Sequence, residues 1–473
     1  MRARYAGAVA SLLVGAALFS RFGIHGALAR DEAVYAYGGQ QLSRGVPFYA
    51  SIVDQKTPGA AYLAGLGDAL GGFDGIRIAF FVCACLTVVA VYLLGLALWG
   101  SVLGALAGAV VFASFHGFAA DALSGPDAKT PGILLAVLSM QLVLRRRWFW
   151  AGVCGAVAFL FWQPLLIYLA VAVVAARRRS VVLGAAIPLA VTVVYFAITG
   201  ALGDFVQAAF AFPVEGLHRT PETVGQRLGH IAAVVHAHYD AVLVWSGIVL
   251  LVVLAALRRW WVVLGSFAAI AAFSALDFQG YPDVYPLLPY AALGVGGAVT
   301  IARRLRPVAV AALVVLVAAS WTQFAGDGGL VAQRAEAADI QRLLEPGDRI
   351  YALGDPTALV LTGRRNPNRY VFLASGVAAW DEAHTAGGFG GWMAGIRAAD
   401  PAVIVLHGWR GTLERRVAAW LHERYVPAWD GGWRVFLRPD VAVRQTVVGR
   451  PSSRRTLASR LSTGLTTAAR RIT

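Results

Sequence analysis

Apolar runs of roughly 14 to 24 residues recur across the first ~320 positions, and short arginine knots separate them. The knots are Arg145-Arg146-Arg147, Arg177-Arg178-Arg179, Arg258-Arg259 and Arg303-Arg304-Leu305-Arg306. This pattern constrains the fold more than any other feature, because it belongs to a polytopic helical membrane protein. A composition that is 58% hydrophobic and 14% charged, with mean hydropathy +0.64, excludes an ordinary soluble chain. The net charge of +15 would also suit a nucleic-acid partner. Here, however, the arginines sit between apolar runs rather than on one soluble face, so membrane topology accounts for them and no nucleic acid is expected.

With a cytoplasmic N-terminus, every arginine knot falls inside if the chain crosses about eleven times. Trp148 to Ala176 carries an arginine triplet at each end, so a single crossing would leave one triplet outside. Two short arms turning at Trp162-Gln163-Pro164 keep both inside, each arm being roughly 21 Å long against a core of about 30 Å. Broken helices of this kind line cavities rather than lipid, which makes Gln163 a cavity candidate. Spans are expected over about Ile76–Leu98, Val102–Phe118, Val181–Leu202, Trp260–Leu276 and Pro307–Phe324, among others. Gly95, Gly104, Gly108, Gly152 and Gly155 read as helix-packing positions. Cys83, Cys85 and Cys154 lie within apolar runs and read as small core residues with no disulfide. Met1-Arg2-Ala3-Arg4, the first apolar run and Ala27-Leu28-Ala29 also fit a cleavable signal, and either reading places Asp31 outside.

The expected organisation is a transmembrane domain over 1–324, an external α/β domain over 325–440 and a basic, disordered tail over 441–473. Residues 30–74 are expected to form the first external loop, with a short interfacial helix over Ala60–Leu70. A second external loop is expected over Gly203–Tyr239, containing His218, His230, His236 and His238 without regular metal-ligand spacing. In the external domain, strands are expected at Asp348–Leu353, Arg369–Leu373, Ala402–Leu406 and Trp433–Leu437, and a helix over Leu413–Tyr425. The whole is an integral protein of the plasma membrane with its C-terminal domain external.

Asp31 and Glu32 stand just beyond the first apolar run, and Lys56 follows in Asp54-Gln55-Lys56-Thr57-Pro58-Gly59. Ionisable groups at a membrane edge are costly to bury and mark function by default. A carboxylate there can take the proton of an acceptor hydroxyl, and a nearby lysine can neutralise a departing phosphate. A phosphate leaves as an anion, so no separate general acid is required. Asp127 and Lys129 also fit a plain helix start. Tyr281, Tyr285 and Tyr290 fit either an interfacial aromatic belt or lipid and sugar contacts.

Asp31-Glu32-x-x-Tyr35, Gln41-Leu42-x-x-Gly45-x-Pro47-x-Tyr49, Asp54-x-Lys56-x-Pro58-Gly59 and Tyr62-Leu63 together resemble the first external loop of glycosyltransferase superfamily C. The resemblance is closest to the branch of dolichyl-phosphate-mannose protein mannosyltransferases and aminoarabinose transferases. Gly152 to Gln163, Tyr281-Pro282-x-x-Tyr285-x-Leu287-Leu288-Pro289 and the external domain resemble later parts of that family. The late histidine of the family is absent, with Tyr281 and Asp283 nearby, and its Glu-Pro entry reads Ser124-Gly125-Pro126-Asp127.

The resemblance implies inverting transfer of a sugar from a polyprenyl-phosphate donor to a lipid, glycan or protein acceptor. It implies Asp31 as base with Glu32 at the second acidic position, and Lys56 at the lipid phosphate. Gln163, Tyr281 and Tyr285 are placed with the donor phosphate or lipid, and Tyr35, Tyr49, Asp54, Asp127 and Asp283 around the substrate cavity. No metal site is expected, and a divalent cation is left open as a cofactor. The competing reading is a transporter or lipid flippase. Such a protein is expected to show repeat symmetry and charges deep in its spans, whereas here the acids gather on one side. A membrane scaffold leaves the acidic segment unexplained.

Overall fold

The computed structural model describes residues 2–216, 222–430 and 432–448. The described residues divide into two compact units on either side of the Ala332–Gln333 peptide.

The first unit is helical throughout. It opens with α1 (Arg2–Ser20), α2 (Arg30–Ser43), α3 (Phe48–Ser51), α4 (Gly59–Trp99), α5 (Val102–Ala113) and α6 (His116–Ser124). It continues with α7 (Lys129–Leu144), α8 (Trp148–Phe161), α9 (Leu166–Ala176), α10 (Arg179–Ile198), α11 (Leu202–Val206) and α12 (Phe212–Glu215). It closes with α13 (Val224–His238), α14 (Ala241–Leu257), α15 (Trp261–Leu276), α16 (Leu288–Ile301) and α17 (Arg306–Gln323).

Among the described residues five helices are long and apolar enough to cross a membrane, or six if the bent pair α5–α6 is one span. Five further apolar helices run only 10–17 residues, about 15–26 Å at helical rise, which is short of a hydrocarbon core of about 30 Å. The outer helices keep apolar faces uncovered, as Leu183, Ile187 and Val191 on α10 and Val314 and Val315 on α17 show. That is the surface of a protein whose solvent is lipid.

Several sequence expectations are corrected. The segment expected as the first external loop is largely helix: α2 spans its acidic stretch and α3 follows. The expected interfacial helix and second span form one element, α4, broken at Gly71 and Gly72, where Gly72 has φ +61°. Gly67 and Gly75 meet across that break so closely that a Cβ on Gly75 would lie 2.2 Å from the Gly67 carbonyl. The expected third span bends by 61° between α5 and α6. The second loop contains α13, opened by a reciprocal cap in which Thr223 and Gln226 each satisfy the other's backbone N–H. His218 lies outside the described residues.

Other expectations are met. The chain leaves helical geometry at Trp162, and α8 and α9 fold back on each other with Gly155 against the Leu169 backbone. Gly104 sits against Gly296 and Thr300 of α16, and Gly152 against the Val181 carbonyl. The three cysteines are free thiols.

The second unit begins within α18 (Gly329–Leu343) and carries β1 (Ile350–Leu353), α19 (Thr357–Thr362), α20 (Val377–His384), α21 (Gly388–Ala399) and β2 (Val403–Leu406). It continues with α22 (Thr412–His422), β3 (Val426–Asp430), β4 (Arg434–Leu437) and α23 (Pro439–Val448). The sheet order is β1-β2-β4-β3, with β1 and β2 parallel, Leu353 opposite Leu406, and the other pairs antiparallel. Residues 369–373 are not a strand. The edge of β1 is instead satisfied by a side chain, the Ala352 N–H donating to Asn366 Oδ1 at 2.8 Å. The hairpin strand β3 was not expected. Residues 441–448 of the supposed tail are helical, with Arg444 paired to Glu345 and Asp348, and the rest of the tail lies outside the described residues.

Candidate active site

The site starts where α2 starts. Asp31 and Glu32 occupy its first turn, where the unsatisfied N–H groups favour negative charge. Adjacent helical positions point about 100° apart, so the two carboxylates enter different surroundings. Asp31 stays half exposed, while Glu32 is buried with its Cβ against Gly125.

Lys56 reaches Asp31 from the following loop, Nζ standing 3.6 Å from Oδ2, and Arg30 Nε lies 3.5 Å from Oδ1. Burial among protein atoms pushes the Asp31 carboxyl up, but Lys56 and Arg30 outweigh it and hold the group below the ordinary value. Burial alone would lower Lys56, and Tyr35, Asp31 and Asp54 together hold it well above the usual lysine value. The ammonium also lies over the Tyr35 ring, 5.4 Å from its centroid. Asp31 is therefore an ionised carboxylate and Lys56 a permanent cation.

The other two acids behave differently. Burial raises Asp54 to about 6, with Asp31 adding to the rise and Lys56 opposing it; its Oδ2 has no hydrogen-bond partner. Burial pushes Glu32 well up, as do the neighbouring charges of Asp121, Asp31 and Asp127, and its Oε2 is likewise without a partner. Burial and the surrounding acids therefore favour the neutral form of Glu32.

The loop carrying Lys56 is pinned from several directions. Tyr49 donates its hydroxyl to the Lys56 carbonyl at 2.7 Å, and Thr57 donates to the Phe159 carbonyl at 2.8 Å. Gln163 Nε2 donates to the Gln55 carbonyl at 2.6 Å and reaches the Ala209 carbonyl at 3.4 Å. The break in the α8–α9 pair thus frees an amide that holds the lysine loop in place.

A second polar cluster adjoins the first. Lys129 Nζ meets Asp283 Oδ1 at 2.7 Å and lies over the Trp162 ring, 5.0 Å from its centroid. Asp283 Oδ2 accepts the backbone N–H of Gln279 at 2.7 Å and of Gly280 at 3.1 Å. Tyr281 donates to Asp121 Oδ1 at 2.8 Å, and Tyr285 to the Gly117 carbonyl at 3.2 Å. Asp127 Oδ2 accepts from the Thr130 N–H at 2.7 Å and so caps the first turn of α7.

Asp31, Glu32, Tyr35, Tyr49, Asp54, Lys56 and Gln163 are thus brought into one group. Asp127, Asp283, Tyr281 and Tyr285 fall in the adjoining cluster, already engaged with protein partners. Tyr285 and Tyr290 are buried, Tyr290 donating to Ser266, so they form no interfacial belt. Sequence reasoning assigned no site role to Asp121, and it read Lys129 as part of a helix start. Asp121 had a signal, as a lone acid in the apolar run Ala119-Ala120-Asp121-Ala122-Leu123. Among the described residues no group of three or more His, Cys, Asp or Glu side chains is arranged to hold a metal ion.

This arrangement of broken spans followed by a second unit has counterparts in fold among solved structures. Among solved structures the chain is similar to ArnT from Cupriavidus metallidurans in two states. With the form bound to undecaprenyl phosphate it shares 14% identity and a TM-score of 0.64, over 91% of this chain and 97% of that one. With the apo form the identity is 16% and the TM-score 0.64, over 94% and 98%. At such identity the likeness is one of fold. No family model matches the chain, and no curated protein matches it in sequence.

Proposed function

We propose that the chain is an inverting glycosyltransferase of the plasma membrane, moving a sugar from a polyprenyl-phosphate donor to an acceptor hydroxyl on the external face. The observation that carries this reading is the Asp31–Lys56 pair, 3.6 Å apart at the start of α2 and accessible on the aspartate side. The ArnT fold supports it, because one solved ArnT structure holds undecaprenyl phosphate.

In this reading the acceptor oxygen attacks the anomeric carbon as its proton passes to Asp31. The bond from that carbon to the phosphate oxygen breaks, and polyprenyl phosphate departs with the electron pair. Attack and departure occur on opposite faces, so configuration inverts. Lys56 neutralises the departing phosphate. As it turns toward that phosphate, Asp31 loses part of its counter-charge and becomes a stronger base at the moment a base is needed. Tyr49, Thr57 and Gln163 keep the lysine loop in place during the step. The arginine knots support about eleven crossings with an internal N-terminus and an external second unit.

Incubation of the purified protein with radiolabelled polyprenyl-phosphate sugars and a membrane extract tests the proposal. Label is expected to pass from one donor class into an acceptor with inverted anomeric configuration. A full panel with no transfer, under conditions where the protein stays folded, contradicts it.

A further inference from the structure

The second unit contains a cavity formed entirely from its own residues, at the carboxyl end of β2, the strand parallel to β1. In open α/β sheets this is where small ligands sit. Leu353 and Leu406 end the two strands side by side, and Asp355 and His407 follow them. Gly354 has φ +98°, and a Cβ there would stand 2.2 Å from the His407 carbonyl, so the two chains leave the sheet in direct contact.

That contact sets the chemistry of His407. The Asp355 carboxylate is buried, with Oδ1 accepting the Thr357 N–H at 2.7 Å and Oδ2 facing His407 Nδ1 at 2.8 Å. Nδ1 therefore carries a proton toward Asp355, and Nε2 is left on the far side of the ring. His407 lines a cavity of about 470 Å³ together with Trp409, Arg410, Glu414 and Arg434. That volume lies within the range of small-molecule sites, about 300–1,000 Å³. Trp409 forms a buried wall, its ring tilted 45° against that of Trp392 with centroids 6.0 Å apart.

The charges in the cavity do not cancel. Glu414 is buried and hydrogen-bonded by Arg434, so that pair neutralises itself. Arg410 is exposed and has no ion-pair or hydrogen-bond partner among the described residues. A free guanidinium beside an oriented imidazole, in a cavity of this size, is a receptor for an oxyanion.

We propose that this cavity is a second binding site, taking a small phosphate monoester through Arg410 and His407. A phosphate monoester fits better than a single carboxylate, because it can keep one P–O–H that donates to Nε2, which accepts while Nδ1 donates to Asp355, and its remaining oxygens accept from the guanidinium. Such a group could come from a sugar phosphate or from a phosphorylated lipid headgroup.

Calorimetric titration of the full-length protein in detergent with glucose 6-phosphate, glycerol 3-phosphate and glucose separates these sources. Saturable binding of either phosphate is expected, the tighter one identifying the source, with none for glucose. Arg410→Ala is expected to weaken it about tenfold or more, and being exposed the site tolerates that change without unfolding. Arg410→Lys keeps the charge without the fork and is expected to fall between. Lys56→Ala is expected to leave the binding unchanged, which separates this site from the one in the first unit. Absence of saturable binding by both phosphates, indifference to Arg410→Ala, or loss in Lys56→Ala would overturn the proposal.

Discussion

Replacing Lys56 by methionine keeps most of the side-chain volume and removes its charge. At 3.6 Å from Asp31, that charge contributes roughly 4–5 kcal/mol at an effective dielectric near 20 and about 1 kcal/mol in bulk water. Asp31 is 50% exposed while Lys56 is 19% exposed, so solvent screening places the pair toward the lower end, about 1–2 kcal/mol. That corresponds to roughly one pKa unit. The sign follows from the direction of the shift. Lys56 holds the Asp31 carboxyl below its ordinary value, so the base form is filled at lower pH than it would otherwise be. Without the lysine the acidic limb of the rate profile is expected to move up by about one pH unit, with weaker donor binding. Asp54, held near 6, titrates on the same limb, so the comparison is made in an Asp54→Asn background as well. Lys56→Arg, which keeps the charge, is expected to leave the limb nearly in place. A limb that stays put in Lys56→Met in both backgrounds would refute the coupling.

Gly152→Ala places a Cβ 2.0 Å from the Val181 carbonyl; a loss of about 1–3 kcal/mol is expected from forcing the helices apart, read as a lower thermal midpoint in detergent. Asp381 is buried and raised to about 8. It keeps its proton in the folded state from about pH 4 to pH 8 and favours folding less as pH rises through that window. Asp381→Asn is expected to flatten this fall and to raise stability clearly at pH 7.5 and much less at pH 5. With the native cysteines removed, a cysteine at position 380 is expected to react with impermeant reagent in intact cells and one at position 178 is not; the reverse pattern would invert the proposed topology.

The apolar runs and arginine knots made the helical membrane unit legible, because lipid leaves the backbone few alternatives. The break at Trp162 could be read from charge placement alone. Individual spans were harder to delimit, since Ser114 and Gly71-Gly72 bend helices within continuous apolar sequence. The acidic segment 30–43 looked like a loop because Asp31, Glu32, Gln40 and Gln41 make it polar. It is nevertheless a helix, and Gly38 and Gly39 let it pack closely on Phe48 and Ala64. The motif put Lys56 near the acidic stretch as a phosphate partner, but its ion pair with Asp31 was not anticipated. The second cluster was not anticipated either, because Lys129–Asp283 and Asp121–Tyr281 join residues more than 150 positions apart. In the second unit, Asn366 replaces a strand at the edge of β1, a substitution that hydrophobic pattern cannot reveal.

The central claim is that Asp31 takes the acceptor proton. Single-turnover transfer by Asp31→Asn, with saturating acceptor and donor binding measured in parallel, tests it most directly. If the charge of Asp31 acts in the transition state, turnover is expected to fall about 100- to 10,000-fold while folding and donor affinity stay close to those of the parent. An Asp31→Asn enzyme that binds donor and keeps most of its turnover would contradict the account.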